Sequence, residues 1–322
     1  MRYSTSFLLS LSLLALLVGC AAHGTHLNVE SPYRDPATLQ KGQILHLATG
    51  RTVSEPQLLE YLCGYRVIYI GETHDSLDDH AVQSTVFKAL HERSPTNLAL
   101  GLEMLPRVAQ ADLDAYIRGE MDREEFRRLW TLHWGHTFPY YEEILGYARE
   151  HRIKVLALNT DDALKNAVRR KPLEEIEPDL AGRLPEMDLN DPHHRAAIEA
   201  IFEAHQMGPR NTEAFYRVQV LWDEAMAQTA AEYLESPEGQ GRQLVVFAGG
   251  HHVRYGYGIP RRLFRRVPVP FVIVLPLAVE IPENKQDRMM DVEAPALPMP
   301  PGDFLWAVGY TDLEDMKKAP NP

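Results

Sequence analysis

The sequence predicts an α/β fold: a mostly parallel sheet flanked by helices, with a helical cap insertion. Three observations carry that prediction. Short unbroken apolar runs, such as Val67–Ile70, Leu98–Leu102 and Leu244–Ala248, mark strands buried on both faces. Helix-period stretches alternate with them, as crossovers between parallel strands require. Ionisable residues or glycines stand at the carboxyl ends of the runs, where open parallel sheets collect ligands.

Residues 1–20 stand outside this pattern. Arg2 precedes an apolar stretch from Phe7 to Val18 that is too short and too lightly flanked for a transmembrane helix. It ends in Leu17-Val18-Gly19-Cys20, which resembles a bacterial lipobox. That resemblance implies a signal peptide cleaved before Cys20 and lipidation of Cys20. Several acyl chains on one residue anchor firmly, because stable attachment takes about two membrane signals. Ala21 and Ala22 follow, with no Asp after the Cys. By the enterobacterial sorting rule this implies the outer membrane, facing the periplasm.

Of the two cysteines, Cys63 is then the sole free thiol, so no intrachain disulfide forms. Its place in the helix-like run Leu58–Cys63 predicts burial. The formal charge of −12 argues against a nucleic-acid partner. Residues 21–42, with Ser31-Pro32 and Asp35-Pro36, read as a tether. Residues 43–281 read as one α/β domain with a helical insertion at about 160–215. Residues 282–322 read as a Pro-rich excursion, an edge strand and a tail.

In chain order, Ile44–Leu47 is a short strand, and Ser54 caps a helix over about Gln57–Leu62. The strand Val67–Ile70 follows and runs through Gly71 into Glu72-Thr73-His74-Asp75. Glu72 and His74, two apart on an extended chain, point the same way. Asp78 or Asp79 is the expected cap of the next helix, through Arg93. The strand Leu98–Leu102 ends in Glu103-Met104. A helix over Val108–Ile117 then stops at Gly119. Residues 123–150 hold Phe126, Trp130, Trp134, Phe138, Tyr140 and Tyr141 with His133 and His136. They serve either as core filler of a helical hairpin or as the wall for a flat ligand. The strand Val155–Leu158 ends in Asn159. The insertion carries a helix from His193 to His205, which brings His193, His194, His205 and Met207 near the strand ends. A long helix follows over about 212–235, with Phe215, Val218, Leu221, Trp222 and Met226 as its apolar stripe. The strand Gln243–Ala248 leads into Gly249-Gly250-His251-His252-Val253-Arg254-Tyr255-Gly256-Tyr257. Phe271–Leu275 is a fifth strand, and Asp303–Val308 a last edge strand before a disordered tail.

Three strand ends thus present Glu72 with His74, Glu103, and His251 with His252. Two classes of function fit. One is a hydrolase in which Glu72, His74, Glu103 and His252 hold a divalent metal that activates water. The other is a binding protein for haem, which needs an axial ligand, an apolar flank and cations for its propionates. Tyr140, Tyr141, Tyr255, Tyr257, His205, Met207 and Arg254 supply those types.

Four segments, taken jointly, resemble the ChaN family of haem-binding lipoproteins. They are Ile70–Asp75, Gly101–Met104, Gln219–Ala227 and Gly249–Pro260, in matching order over about residues 44–275. The resemblance implies an α/β fold, haem at a homodimer interface and a part in iron uptake. It carries over Glu72, His74, Glu103 and His252. His251 stands where the family often has a small residue, and Asn159 keeps part of the pattern. A more distant similarity to the Tiki and erythromycin-esterase-like groups keeps the hydrolase open. Tyr255 is the tyrosine nearest in sequence to His252 and Arg254, and a neighbouring cation favours phenolate. A tyrosinate-ligated ferric haem is therefore expected, with Tyr255 ranked ahead of Tyr257, Tyr140 and Tyr141, and with His205, Met207, His251 and His252 as the alternative iron ligands.

Overall fold

The structure, a computed structural model, describes residues 35–204, 209–288, 297 and 299–318. Cys20, His205 and Met207 lie outside them. Eight strands form one sheet: β1 (Ile44–His46), β2 (Arg51–Val53), β3 (Val67–Glu72), β4 (Leu98–Pro106), β5 (Lys154–Asn159), β6 (Gln243–Gly249), β7 (Phe271–Glu280) and β8 (Phe304–Gly309). Their order is β2-β1-β8-β7-β3-β6-β4-β5. The six strands from β8 to β5 are mutually parallel, and β1 pairs antiparallel with both β2 and β8.

Alternation within β3 shows why a continuous apolar run is needed. Ile68 and Ile70 face a core formed with the helices Leu77–Arg93 and Phe138–Glu150, through Val86, Phe87, Tyr141 and Leu145. Val67 and Tyr69 face the opposite core, formed with the helices Pro209–Glu235 and Ile259–Arg266, through Met226, Ala230 and Leu263. Both sets are fully buried, and each such side chain contributes on the order of 2 kcal/mol. With a helical layer on each face, the parallel strands present their carboxyl ends to a crevice.

Several local expectations are corrected. Ser76, not Asp78 or Asp79, caps the helix Leu77–Arg93, accepting from the Asp79 N–H. Asp79 instead turns inward, accepting from Ser76 Oγ at 2.9 Å and the Thr73 N–H at 2.7 Å. The last strand is not an edge. β8 lies between β1 and β7, because a short β1–β2 hairpin covers it. Cys63 is exposed rather than buried. It is the C-cap of the helix Glu55–Leu62, one residue past the apolar stripe of Leu58, Leu59 and Leu62. The tail holds a helix, Leu313–Lys318, tied to the chain by Lys285, which is buried against Asp312 and lies 3.5 Å from Asp315.

The region after β5 carries the helices Asp162–Arg170, Pro178–Ala181 and Pro192–Ala204. Leu164, Val168 and Ile176 pack on Val218 and Leu221 of the long helix Pro209–Glu235. That seats the segment beside the carboxyl ends of β4 and β5.

Candidate functional site

The strand order decides what meets at the crevice. β6 lies between β3 and β4, so the turn after Gly249 enters between Glu72 and Glu103. There Glu72, His74, Glu103 and His252 come together. His74 Nδ1 lies 2.8 Å from Glu72 Oε1. Tyr141 Oη donates to the same oxygen, and Gln83 Nε2 donates to Oε2 at 2.6 Å. Glu72 is thus fully engaged beneath His74, whose side chain remains 40% exposed.

The row continues through Glu103. Its Oε2 accepts from the Gly249 N–H at 2.6 Å, and its Oε1 lies 3.2 Å from His252 Nε2 and 3.9 Å from His74 Nε2. His252 Nδ1 donates to Asp223 Oδ1 at 2.6 Å, with the Gln219 side-chain amide 2.9 Å from the same nitrogen. Asp223 Oδ2 lies 3.2 Å from His194 Nε2. Each central imidazole therefore has one nitrogen held by a carboxylate and the other turned toward Glu103. That arrangement fixes ring orientation and tautomer.

Burial and charge oppose one another along this row, and charge wins. Desolvation alone would depress both imidazoles. For His252 the carboxylates of Glu103 and Asp223 overcome it and raise the pKa to about 10. For His74 those of Glu103 and Glu72 raise it to about 9. Desolvation would raise Glu103, but His252 and His74 hold it down at about 2. Asp223 is likewise held below the usual carboxylate range, burial notwithstanding, by His252 and His194. The carboxylates and imidazoles of the row hold one another in their charged forms.

Two glycines make this packing feasible. A Cβ on Gly249 would lie 2.9 Å from His74 Nε2, and one on Gly258 would lie 2.1 Å from the His252 carbonyl oxygen. Asn159 steadies the neighbouring strand end, donating to the Glu103 carbonyl at 3.0 Å.

The other sequence-predicted residues divide by position. Tyr141 is fully buried with its hydroxyl on Glu72. Tyr140 is half-buried, and its Oη accepts from the Leu313 N–H at 3.2 Å. Arg254 and His251 are exposed. Tyr255 is half-buried in the left-handed region at φ 60°, a conformation that costs a bulky residue on the order of 1–2 kcal/mol. Its ring lies near-parallel to Tyr257 at 6.1 Å, and Tyr257 in turn to His193 at 5.7 Å. Tyr257 is buried, with no partner for its hydroxyl among the described residues.

Sequence reasoning placed Gln219 and Asp223 in a motif of the long helix without giving them a role. The available signal was the acidic pair Asp223-Glu224 set inside the apolar stripe of Leu221, Trp222 and Met226. Both carboxylates prove fully buried, Glu224 against Arg266 at 2.7 Å and Arg262 at 3.2 Å. Two tryptophans flank the row. Trp134 meets His74 edge-on at 5.2 Å and Trp222 meets His252 at 6.1 Å. Between them, over the ends of β4 and β5, lies a cavity of about 490 Å³.

A parallel sheet wrapped by helices on both faces, with Glu and His paired at its carboxyl end, is an α/β architecture of the kind that gathers ligands in a strand-end crevice. The chain belongs to the family described as haem-binding uptake, Tiki superfamily, ChaN, whose pattern matches residues 58–263. It is similar to ChaN of Campylobacter jejuni, whose structure is described as showing cofacial heme binding. The TM-score is 0.62 at 18% identity, over 83% of this chain and 98% of that one, which is a likeness of fold. It is 26% identical over 278 residues to Protein RETICULATA-RELATED 5, a chloroplastic protein of Arabidopsis thaliana. That match takes in 81% of this chain but 36% of the plant protein, so the chain spans about a third of that relative's length. A looser likeness is to the erythromycin esterase EreC, with a TM-score of 0.44 at 15% identity over 80% of this chain and 79% of that one.

The metal-dependent hydrolase finds no support. Among the described residues no three His, Cys, Asp or Glu side chains are arranged to hold a metal ion. The carboxylates and imidazoles of the row satisfy one another instead.

Proposed function

We propose that this protein binds haem at the carboxyl end of its sheet, between two copies of itself, as a lipid-anchored component of iron uptake. The observation that carries the reading is the open, aromatic-walled cavity beside Glu103, in a chain whose family is a haem-binding one. Haem needs an apolar flank, an axial ligand and cations. Trp134, Trp222, Met104, Leu132 and Val108 supply the flank. His133 and the tyrosine loop supply ligand types. Lys165 supplies a cation at the rim. Haem, when bound, brings the iron. The protein's part is to exclude water from one face and to hold the periphery.

The row from Glu72 to Asp223 is then a rigid base. It holds the turn Gly249–Val253 and both tryptophans in place, and it presents His74 to the crevice. A flat ligand at an exposed strand end leaves one face open, which a symmetric second copy closes. Attachment through Cys20 keeps the protein at a membrane, the outer membrane in the reading from Ala21 and Ala22.

Purified protein lacking residues 1–20 tests this directly. Titration with haemin should give a saturable Soret shift, whereas zinc or manganese should bind weakly or not at all. Sedimentation should show dimers appearing with haemin. A saturated complex that stays monomeric at micromolar concentration would remove the dimer from the proposal. Absence of any Soret shift would remove the haem.

A further inference from the structure

We propose that a cavity at the amino end of the sheet, away from the strand-end crevice, is a ligand site of its own and takes a small oxyanion on Arg66 and Arg93. It is independent of the haem reading.

Parallel pairing builds the cavity. The register sets Val67 beside Leu244 and Phe271, and Leu98 beside Gln243. The entries of β7, β3, β6 and β4 therefore lie in one row, with Pro270, Arg66, Gln243 and Asn97 standing at them. Together with Cys63 and Arg93 these residues line a cavity of about 430 Å³, in the range that ligand sites occupy. The backbone here is closed from within. The N–H groups of Arg66 and Val67 both donate to the Pro270 carbonyl, at 3.0 and 3.2 Å, and that of Gln243 donates to the Asn97 carbonyl at 2.8 Å. Side chains are thus what a ligand meets.

Those side chains favour an anion. None of the residues that line the cavity is acidic and two are arginines, against a formal charge of −12 for the whole chain. Arg66 is half-buried, and its Nη2 donates to the Gly239 carbonyl at 2.8 Å. Its Nε is buried without a partner, and the guanidinium meets no carboxylate among the described residues. A cation withdrawn from water without a counter-charge is costly, and an anion in the cavity relieves that cost. Arg93 is held by Glu60 at 3.2 Å, in a pair whose side chains are 39% and 83% exposed. So open a pair is weak, and Arg93 can turn to a ligand at little loss.

The wall defines the rest of the ligand. Leu90 and Tyr65 give the cavity an apolar side, and Tyr65 is fixed by donating its hydroxyl to that of Tyr61 at 2.9 Å. Cations beside an apolar wall suit a small organic anion. The planar fork of arginine matches a carboxylate or a phosphate equally well.

Cys63 lies in the same cavity, its Sγ 3.6 Å from Arg93 Nη1, and serves as the reporter. The full chain is alkylated with anionic iodoacetate or neutral iodoacetamide, and the adduct at Cys63 is quantified by peptide mass spectrometry. The ratio of the two rates reads the local field, because the thiol's own reactivity cancels. Arg66→Gln leaves Arg93 beside the thiol, yet it should lower that ratio about threefold. In the parent, inorganic phosphate or citrate should slow iodoacetate saturably, beyond the effect of chloride at equal ionic strength. Protection by phosphate alone assigns a phosphate-bearing ligand, and protection by citrate alone a carboxylate. The proposal is overturned if neither anion protects more than chloride does, a result that needs no variant to fold. It is also overturned if Arg66→Gln, folded by circular dichroism, keeps the parent ratio.

Discussion

Asp223→Asn removes one charge from the centre of the buried row without changing its shape. In the parent, the Asp223 side chain is fully buried, 2.6 Å from His252 Nδ1 and 3.2 Å from His194 Nε2. Glu103 remains on the far side of His252 at 3.2 Å, so the imidazolium loses half its support rather than all. Breaking a buried pair outright costs about 3–5 kcal/mol, which places this substitution at about 3 kcal/mol. The pH dependence gives a second readout. His252 is raised from its ordinary 6.5 to about 10, so its contribution is complete below 6.5 and is lost as pH rises through 10. Glu103 is lowered from 4.5 to about 2, so its contribution is complete above 4.5 and is lost as pH falls through 2. The two describe one interaction and are counted once. The contribution of this pair should therefore be complete between pH 4.5 and 6.5 and decline toward alkaline pH. In the Asn variant His252 sits lower, and the alkaline decline should begin earlier. Urea unfolding of parent and variant at a series of pH values measures both effects. A loss under about 1 kcal/mol with an unchanged pH profile would refute the charge coupling of Asp223 to His252.

Gly258→Ala puts a Cβ 2.1 Å from a backbone oxygen, which no rotamer change relieves, so it should destabilise by more than about 3 kcal/mol in the same unfolding assay. Tyr141→Phe removes one donor from Glu72 but leaves His74 and Gln83 in place, so a loss of about 1–2 kcal/mol is expected, with the fold intact by circular dichroism. Cys20→Ser should release the protein from the membrane fraction or leave an uncleaved precursor. Unchanged processing and fractionation would show that Cys20 is not the anchor.

The strand cores and their chemical endings are legible in the chain without any structure. Continuous apolar runs at Val67–Ile70, Leu98–Leu102 and Leu244–Ala248 record burial on both faces, which is a local property of composition. The ionisable residues that follow the runs mark Glu72, His74, Glu103 and His252 as neighbours of one crevice. Strand order is not local. Nothing in β6 itself says that it inserts between β3 and β4, yet that insertion brings His252 within 3.2 Å of Glu103. The internal place of β8 was hidden for a related reason: the hairpin that covers it has only three residues per strand, too few for a periodic signal. The role of Asp223 was hidden because an acidic pair set inside an apolar stripe signals burial without naming what it meets. Only the packing of that helix against the turn after β6 makes it the buried partner of His252. Which of Tyr140 and Tyr141 reaches Glu72 was decided the same way, because adjacent helical residues point about 100° apart. His252 and Asp223 are 29 residues apart in the chain, and Tyr141 and Glu72 are 69 apart. Partners so distant are selected by tertiary packing, and no local pattern along the chain records the choice.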